Sequence, residues 1–561
     1  MTARSSGRHH QSPTPENRRI ARAAGLVSGL TLLSRIGGLV RDTVVGYYFG
    51  AGVAADAFFV AFRLPNLLRR FVAEGAMNVA FIPVFSDYVT RRSAAETERA
   101  ARALATVMAI VLVVLTLAGI MWAPALTTVF APGFVAEPAK FALTVSLTRR
   151  VFPYLFLIGM ASLCGGVLNA YRHFAAPALS PIFLNLAIIG AAVVIAPRLD
   201  EPVCALAYGV VAGGVLQVAV QLPPLLRRGV RLWPRWEPGH PAVRRVLWLM
   251  GPTVFGAAIY QITIVINTVL ASALPGGSVS YLWYATRVFE FPVGLFAVAI
   301  STAALPSFSS QAARGLYGEL ADSVSFSIRL TNWIAVPGTI GLICLAHPIV
   351  AVLFERGAFG ARDASLTASA LAMFAIGLWP LSIARILVPA FYALHESHTP
   401  VITAAAALVA NIGASVMLMG VVPTATESGL VAVLAEVTKH LALVDLRHAG
   451  LALASSLAAL VNMLLLALVM RRRLSGMRLK PLVVSLVQSS VASAAMVWPM
   501  MQMSQRIDWS TPGESALKAG VLLVTIGVGV GVFALAAAVI ARDEIKQLMH
   551  VVAPRSRARR P

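Results

Sequence analysis

Fourteen times along this chain an apolar stretch long enough to cross a bilayer, which takes about 20 residues, stands between polar connections. They lie near 23–49, 53–88, 103–123, 141–170, 179–197, 203–226, 246–272, 279–310, 326–346, 366–391, 399–421, 449–470, 482–503 and 516–541. In hydrocarbon every backbone N–H and C=O must be satisfied within the protein, so such stretches fold as helices. The expected fold class is an all-α polytopic membrane protein with fourteen transmembrane helices. Composition leaves no soluble alternative: 58% of the 561 residues are hydrophobic and 12% charged, whereas soluble domains carry about 25% charge. The second stretch contains Pro65 and Gly75 and is expected to break there.

A net charge of +22 would suggest nucleic acid if it formed one patch, but it follows the connections. With the N-terminus in the cytoplasm, that side carries about 29 Lys and Arg and the other about 7, as the positive-inside rule requires. The basic tails, 1–22 and 542–561, then share the cytoplasmic side, and the first shows no signal-peptide cleavage site. Arg149, Arg150 and Lys518, near outer span ends, are expected to snorkel to the interface. Cys164, Cys204 and Cys344 stand singly in apolar runs, which points to packing; no metal or other cofactor is expected. Arg63-Leu64-Pro65 before "AFIPVFS" (80–86) and Arg287 with Phe291-Pro292 before "AALPSFS" (303–309) hint at a repeat six spans apart. The expected organisation is two six-helix lobes, 23–226 and 246–470, joined by a cytoplasmic linker, 227–245, and followed by a helix pair, 482–541. The outer loop 422–447 contains "GLVAVLAEV", read as a short interfacial helix without an assigned role.

Charges at membrane depth are harder to accommodate, at roughly 2.5–3.5 kcal/mol each on insertion scales. "LLSRIGGLVRDTVVGYYFG" carries Arg35, Arg41 and Asp42 around Gly37-Gly38, where a backbone or ligand has room to approach. The second span places Asp56, Arg63, Asn66, Arg70 and Glu74 at helical offsets on one face, with Arg69 about 100° away. Arg287 and Glu290 follow in the eighth span and Arg385 in the tenth. Glu74 and Glu290 lie within a helical turn of Arg70 and Arg287 and can neutralise them locally. Even so, seven arginines face four carboxylates, and unpaired charge in a membrane is costly. A water-filled cavity receiving a phosphorylated or carboxylated substrate accounts for the excess, since arginine suits bidentate phosphate recognition.

Over "LLSRIGGLVRDTVVGYYFGAGVAADAFFVAFRLPNLLRRFVAEGA", "APGF" (131–134), "GGVLQ" (213–217), "TRVFEFPVG" (286–294) and "VPAFYA" (388–393), the chain resembles the MurJ (MviN) lipid II flippases of the multidrug/oligosaccharidyl-lipid/polysaccharide exporter superfamily. The resemblance implies two lobes in a V around a central cationic cavity, and a lipid groove on the last two helices. It implies outward movement of undecaprenyl-diphosphate-linked muropeptide across the bacterial cytoplasmic membrane by alternating access, without enzymatic catalysis. Arg35, Arg41, Arg69 and Arg287 match its substrate-binding arginines and Asp56 its aspartate, expected to gate the cavity by pairing with Arg41 or Arg287; Glu290 is a second gate candidate. Arg63, Asn66, Arg70, Glu74 and Arg385 are secondary cavity candidates. Thr286 and Arg385 depart from the acid and the lysine common there. Lipid II, membrane lipids and peptidoglycan-synthesis proteins are the implied partners; a coupling ion or the membrane potential stays open as the energy source. Two other readings stand beside this one: another exporter of the superfamily, for polysaccharide-lipid or drugs, and a lipid-linked glycan enzyme. The enzyme would need clustered acids on an outer loop, and Glu137, Asp200, Glu201, Asp363 and Asp508 are dispersed.

Overall fold

The computed structural model describes residues 15–70, 80–423, 429–474, 476–509, 511, 513–542 and 544, with the backbone alone at 15–24 and 251–260. Helices follow one another through these residues without a β-sheet; the β-bridges are isolated, Arg356 with Phe359 and Met419 with Asp445. Nine helices among the described residues are long and apolar enough to cross a membrane, eleven if two bent pairs each count as one span. Those pairs are Tyr317–Cys344 with Ala346–Phe354, bent by 70°, and Ala361–Ile376 with Leu378–Ala393, bent by 42°. The three remaining apolar stretches are also helical wherever described: Pro15–Phe49, Val53–Arg69 followed by Ile82–Arg91, and Pro241–Ser272. The expected break at Pro65 is absent. The helix runs through it to Arg69, because a proline costs a transmembrane helix one backbone bond that local adjustment absorbs. Gly75 and Glu74 lie outside the described residues.

The chain divides into two compact units. One comprises Met1–Arg41, Leu64–Met121 and Arg149–Val254, the other Asp42–Arg63, Trp122–Thr148 and Phe255–Pro561. This division does not follow the lobes drawn from sequence: 42–63 and 122–148 group with the C-terminal half, and one boundary falls inside the first helix, between Arg41 and Asp42.

In the first unit, small residues let helices touch, the main source of association where lipid is as apolar as the side chains. A Cβ on Gly213 of Cys204–Ala219 would stand 2.9 Å from the Cα of Leu184 on Ala175–Gly190, so any larger residue there forces the pair apart. Phe81 and Phe85 stack at 5.3 Å and pack with Leu104, Leu163 and Val167. The connection 227–240 is pinned to Ala94–Met121: Glu237 accepts from Arg99 at 2.8 Å and Arg235 at 2.6 Å, and Arg102 donates to the Trp233 carbonyl at 3.2 Å. The hydrogen bonds from Arg99 and Arg235 hold the Glu237 carboxyl at about 2, well below the usual carboxylate range.

In the second unit, the last two helices, Leu479–Ser504 and Ser515–Ile540, pack through Gly529, where a Cβ would stand 2.4 Å from the Met500 sulfur. Asn332 of Tyr317–Cys344 docks the first of them: its carbonyl accepts from Ser489 at 3.0 Å, while its side-chain oxygen accepts from Trp379 at 2.9 Å. Leu535 and Val539 remain 71% and 83% exposed, a surface suited to hydrocarbon. Lys518 does not snorkel. It is buried and donates to the carbonyls of Trp509 and Thr511, both at 2.6 Å, because two free loop carbonyls lie within reach and satisfy the ammonium. The connection 422–447 does contain a helix, Leu430–Leu441.

Candidate functional site

Asp56 occupies the first turn of Val53–Arg69 and Lys140 the first turn of Pro138–Val151. Their side chains, 1% and 2% exposed, meet at 3.0 Å. The same carboxylate accepts from the backbone N–H of Gly277 at 2.8 Å and from Ser280 twice, through N–H at 2.9 Å and hydroxyl at 2.6 Å. Gly277 precedes the helix Ser278–Pro292 with φ +92°; a Cβ there would stand 2.7 Å from the Tyr281 ring. The glycine turns the backbone so that Asp56, from a separate helix, does the work of an N-cap at the positive end of this one. Lys140 also lies 4.0 Å from the centre of the Phe134 ring, the phenylalanine of "APGF". The expectation that Asp56 pairs with Arg41 or Arg287 is corrected. Its charge partner is Lys140, reinforced by a helix N-terminus that attracts an anion.

Arg287 is instead held by Asp42, at 3.3 Å, and by Glu290 one turn ahead, at 3.2 Å, while remaining 34% exposed. Its guanidinium carbon lies 4.5 Å from the centre of the Trp283 ring, and that of Arg63 lies 5.4 Å from the same ring. Arg63 also donates to the hydroxyl of Thr268. Thr286 bonds its own helix at the Leu282 carbonyl, so the negative charge beside Arg287 comes from Asp42 and Glu290. The second unit thus pairs Lys140 with Asp56 and Arg287 with Asp42 and Glu290, with Arg63 beside the same ring as Arg287. Arg385 is exposed there.

The first unit differs. Arg41, buried, donates to the amide oxygen of Asn185 at 3.3 Å, and Asn185 donates to the Ser34 carbonyl at 3.1 Å. Gly37 gives access to this amide: a Cβ on it would stand 3.4 Å from the Asn185 nitrogen. A neutral amide thus orients Arg41. Arg35 is exposed, and Asn66, Arg69 and Arg70 are half-buried. The acidic residues with described side chains in this unit, Asp87, Glu96, Glu98, Asp200, Glu201 and Glu237, lie in connections or near the ends of apolar spans. Arg35, Arg41, Arg69 and Arg70 are the arginines that this unit carries within its first two apolar stretches. Among the described residues, no group of three or more His, Cys, Asp or Glu is placed to hold a metal ion.

Sequence reasoning missed Lys140, Asn185 and Trp283. Lys140 was visible as a lone cation six residues after "APGF"; Asn185 and Trp283 sit in apolar runs and carry no periodic signal. The family model described as lipid II flippase MurJ matches residues 45–517. A lipid II flippase MurJ of Burkholderia cenocepacia is 38% identical over 456 residues, 81% of this chain and 84% of that protein. Among solved structures, "Lipid II flippase MurJ, inward closed conformation" superposes with a TM-score of 0.73 at 24% identity over 93% of this chain and 99% of that one. An inward-facing multidrug resistance MATE family transporter of the MOP superfamily superposes with a TM-score of 0.63 at 15% identity, over 81% of this chain and 98% of that one. The fold is that of these all-α membrane transporters, and the chain belongs to the MurJ family of lipid II flippases.

Proposed function

We propose that this chain carries lipid II from the cytoplasmic to the outer leaflet of the bacterial cytoplasmic membrane, with both termini in the cytoplasm. One observation supports the substrate assignment above all: Arg41, inside an apolar helix, is buried and its guanidinium is oriented by the Asn185 amide, while Arg287 remains 34% exposed beside the Trp283 ring. A diphosphate is an anion that guanidinium groups bind two oxygens at a time. Arg35, Arg41, Arg69 and Arg287 engage the diphosphate, with Arg63, Asn66, Arg70 and Arg385 as further polar lining. The apolar final helices, 482–541, take the prenyl tail. This is transport, not catalysis.

Alternating access needs a closure that holds and can be released. Asp56, Lys140 and the N-terminus of Ser278–Pro292 form the closure on the outer side: four contacts on one carboxylate, all dependent on its charge and position. An inside-negative membrane potential drives the anionic headgroup outward and returns the vacant cationic site, at up to about 2.3 kcal/mol per charge per 100 mV. The test is transport of lipid II by purified protein in vesicles of set potential. Transport that falls when Arg41 or Arg287 is replaced, and rises with an inside-negative potential, supports the reading; transport indifferent to both overturns it.

A further inference from the structure

Trp283 is used by nothing in the mechanism above, yet it has an unusual environment. It lies one helical turn before Arg287 on Ser278–Pro292 and is 8% exposed. Phe59 stacks on it at 4.6 Å with an interplanar angle of 16°, and Phe62 meets it edge-on at 6.2 Å. The guanidinium groups of both Arg63 and Arg287 lie beside the same ring. Its indole N–H is buried and has no hydrogen-bond partner among the described residues. A buried donor left unmade costs about 1–3 kcal/mol, and tryptophans in protein interiors usually find an acceptor. Phenylalanine would fill an apolar slot without that cost.

We propose that the Trp283 N–H is a donor kept for the anionic headgroup, and that Trp283 is a substrate-contacting residue as well as the bracket of Arg63 and Arg287. An indole donates only, so its partner must be an acceptor, and an acceptor beside two guanidinium groups is favoured when it is anionic. A diphosphate oxygen meets both conditions. The ring also holds two like charges close to one site through its π-face, an attraction of about 0.5–2 kcal/mol per cation. This rests on the diphosphate reading above and adds to it a neutral donor that distinguishes oxygen acceptors by position.

The test uses the full chain in lipid nanodiscs with ¹⁵N-labelled indoles and undecaprenyl diphosphate as the probe, the Trp283 resonance being identified by its loss in Trp283→Phe. On binding, that resonance should move downfield. Trp283→Phe keeps an aromatic ring and loses the N–H, and should bind about 10-fold more weakly, the loss of one charge-assisted hydrogen bond. Trp283→Leu loses ring and donor and should bind more weakly still, with thermal unfolding in the absence of the probe confirming that both variants are folded. If the wild type binds while the resonance stays in place and Trp283→Phe binds equally well, the donor role is overturned and the arginine reading survives. If the wild type does not bind the probe, both fall.

Discussion

Replacing Asp56 by Asn changes one oxygen into an amide nitrogen and removes a charge, and the structure says which contacts that costs. The amide oxygen can keep the two bonds from Ser280, at 2.9 and 2.6 Å. The other position, which accepts from Lys140 at 3.0 Å and Gly277 at 2.8 Å, becomes a donor facing two donors. Lys140, 2% exposed, is left as an uncompensated buried cation, a change worth about 3–5 kcal/mol when one partner of a buried pair is removed. The protein has two ways to relieve it: unfold more readily, or separate these helices and let water reach the ammonium. The expected result for Asp56→Asn is a lower thermal midpoint, greater reaction of a thiol at position 280 with an impermeant reagent from outside, and weak transport. Lys140→Met on the Asp56→Asn background removes the stranded charge and should recover most of the lost stability, to within about 1 kcal/mol of the wild type, without restoring transport. Equal stability of Asp56→Asn and wild type, or no recovery in the double variant, would refute the pairing as the source of closure.

Arg41→Lys and Arg287→Lys preserve charge but lose planar bidentate geometry, and for Arg287 the stacking on Trp283; both should insert normally and transport poorly, and full complementation by both would count against phosphate recognition. Gly529→Val places atoms on the Met500 sulfur and should destabilise the final helix pair by about 1–3 kcal/mol, read as a lower thermal midpoint with prenyl-lipid binding impaired. The Glu237 carboxyl is held at about 2. A depressed carboxylate contributes its stability above the unfolded value of about 4.3 and loses it as pH falls through the folded one. Proteolysis or hydrogen exchange across 227–240 should therefore be flat from pH 8 to about 5 and accelerate only toward pH 2; a step near neutral pH would exclude the Arg99–Glu237–Arg235 anchor.

Apolar length made the helices legible, because a bilayer leaves backbone polar groups no other solution. The same signal gave no account of bends. Pro65 sits in a helix that runs through it, while the 70° bend falls after Cys344, whose carbonyl loses its donor four residues on at Pro348. The arginines proposed to bind substrate were visible as charges in apolar runs. Their partners were not, because pairing is set by tertiary contact: Asp56 meets residues 84 and 221 positions away, and Arg41 one 144 positions away. Counting charge gave an excess of arginine in apolar runs without its partners. It could not tell that Lys140 pairs with Asp56 or that Asn185 orients Arg41.

The central claim is directional movement of lipid II, and the most direct measurement is its distribution between membrane faces after depletion of this protein in living cells. Sampling the outer face with a lipid II-cleaving enzyme that cannot cross the membrane separates the two pools. The account requires the outer pool to fall and uncleaved lipid II to accumulate on the cytoplasmic face, with recovery on re-expression of the wild type and none on expression of Arg287→Lys. An outer pool that persists or grows during depletion would contradict it.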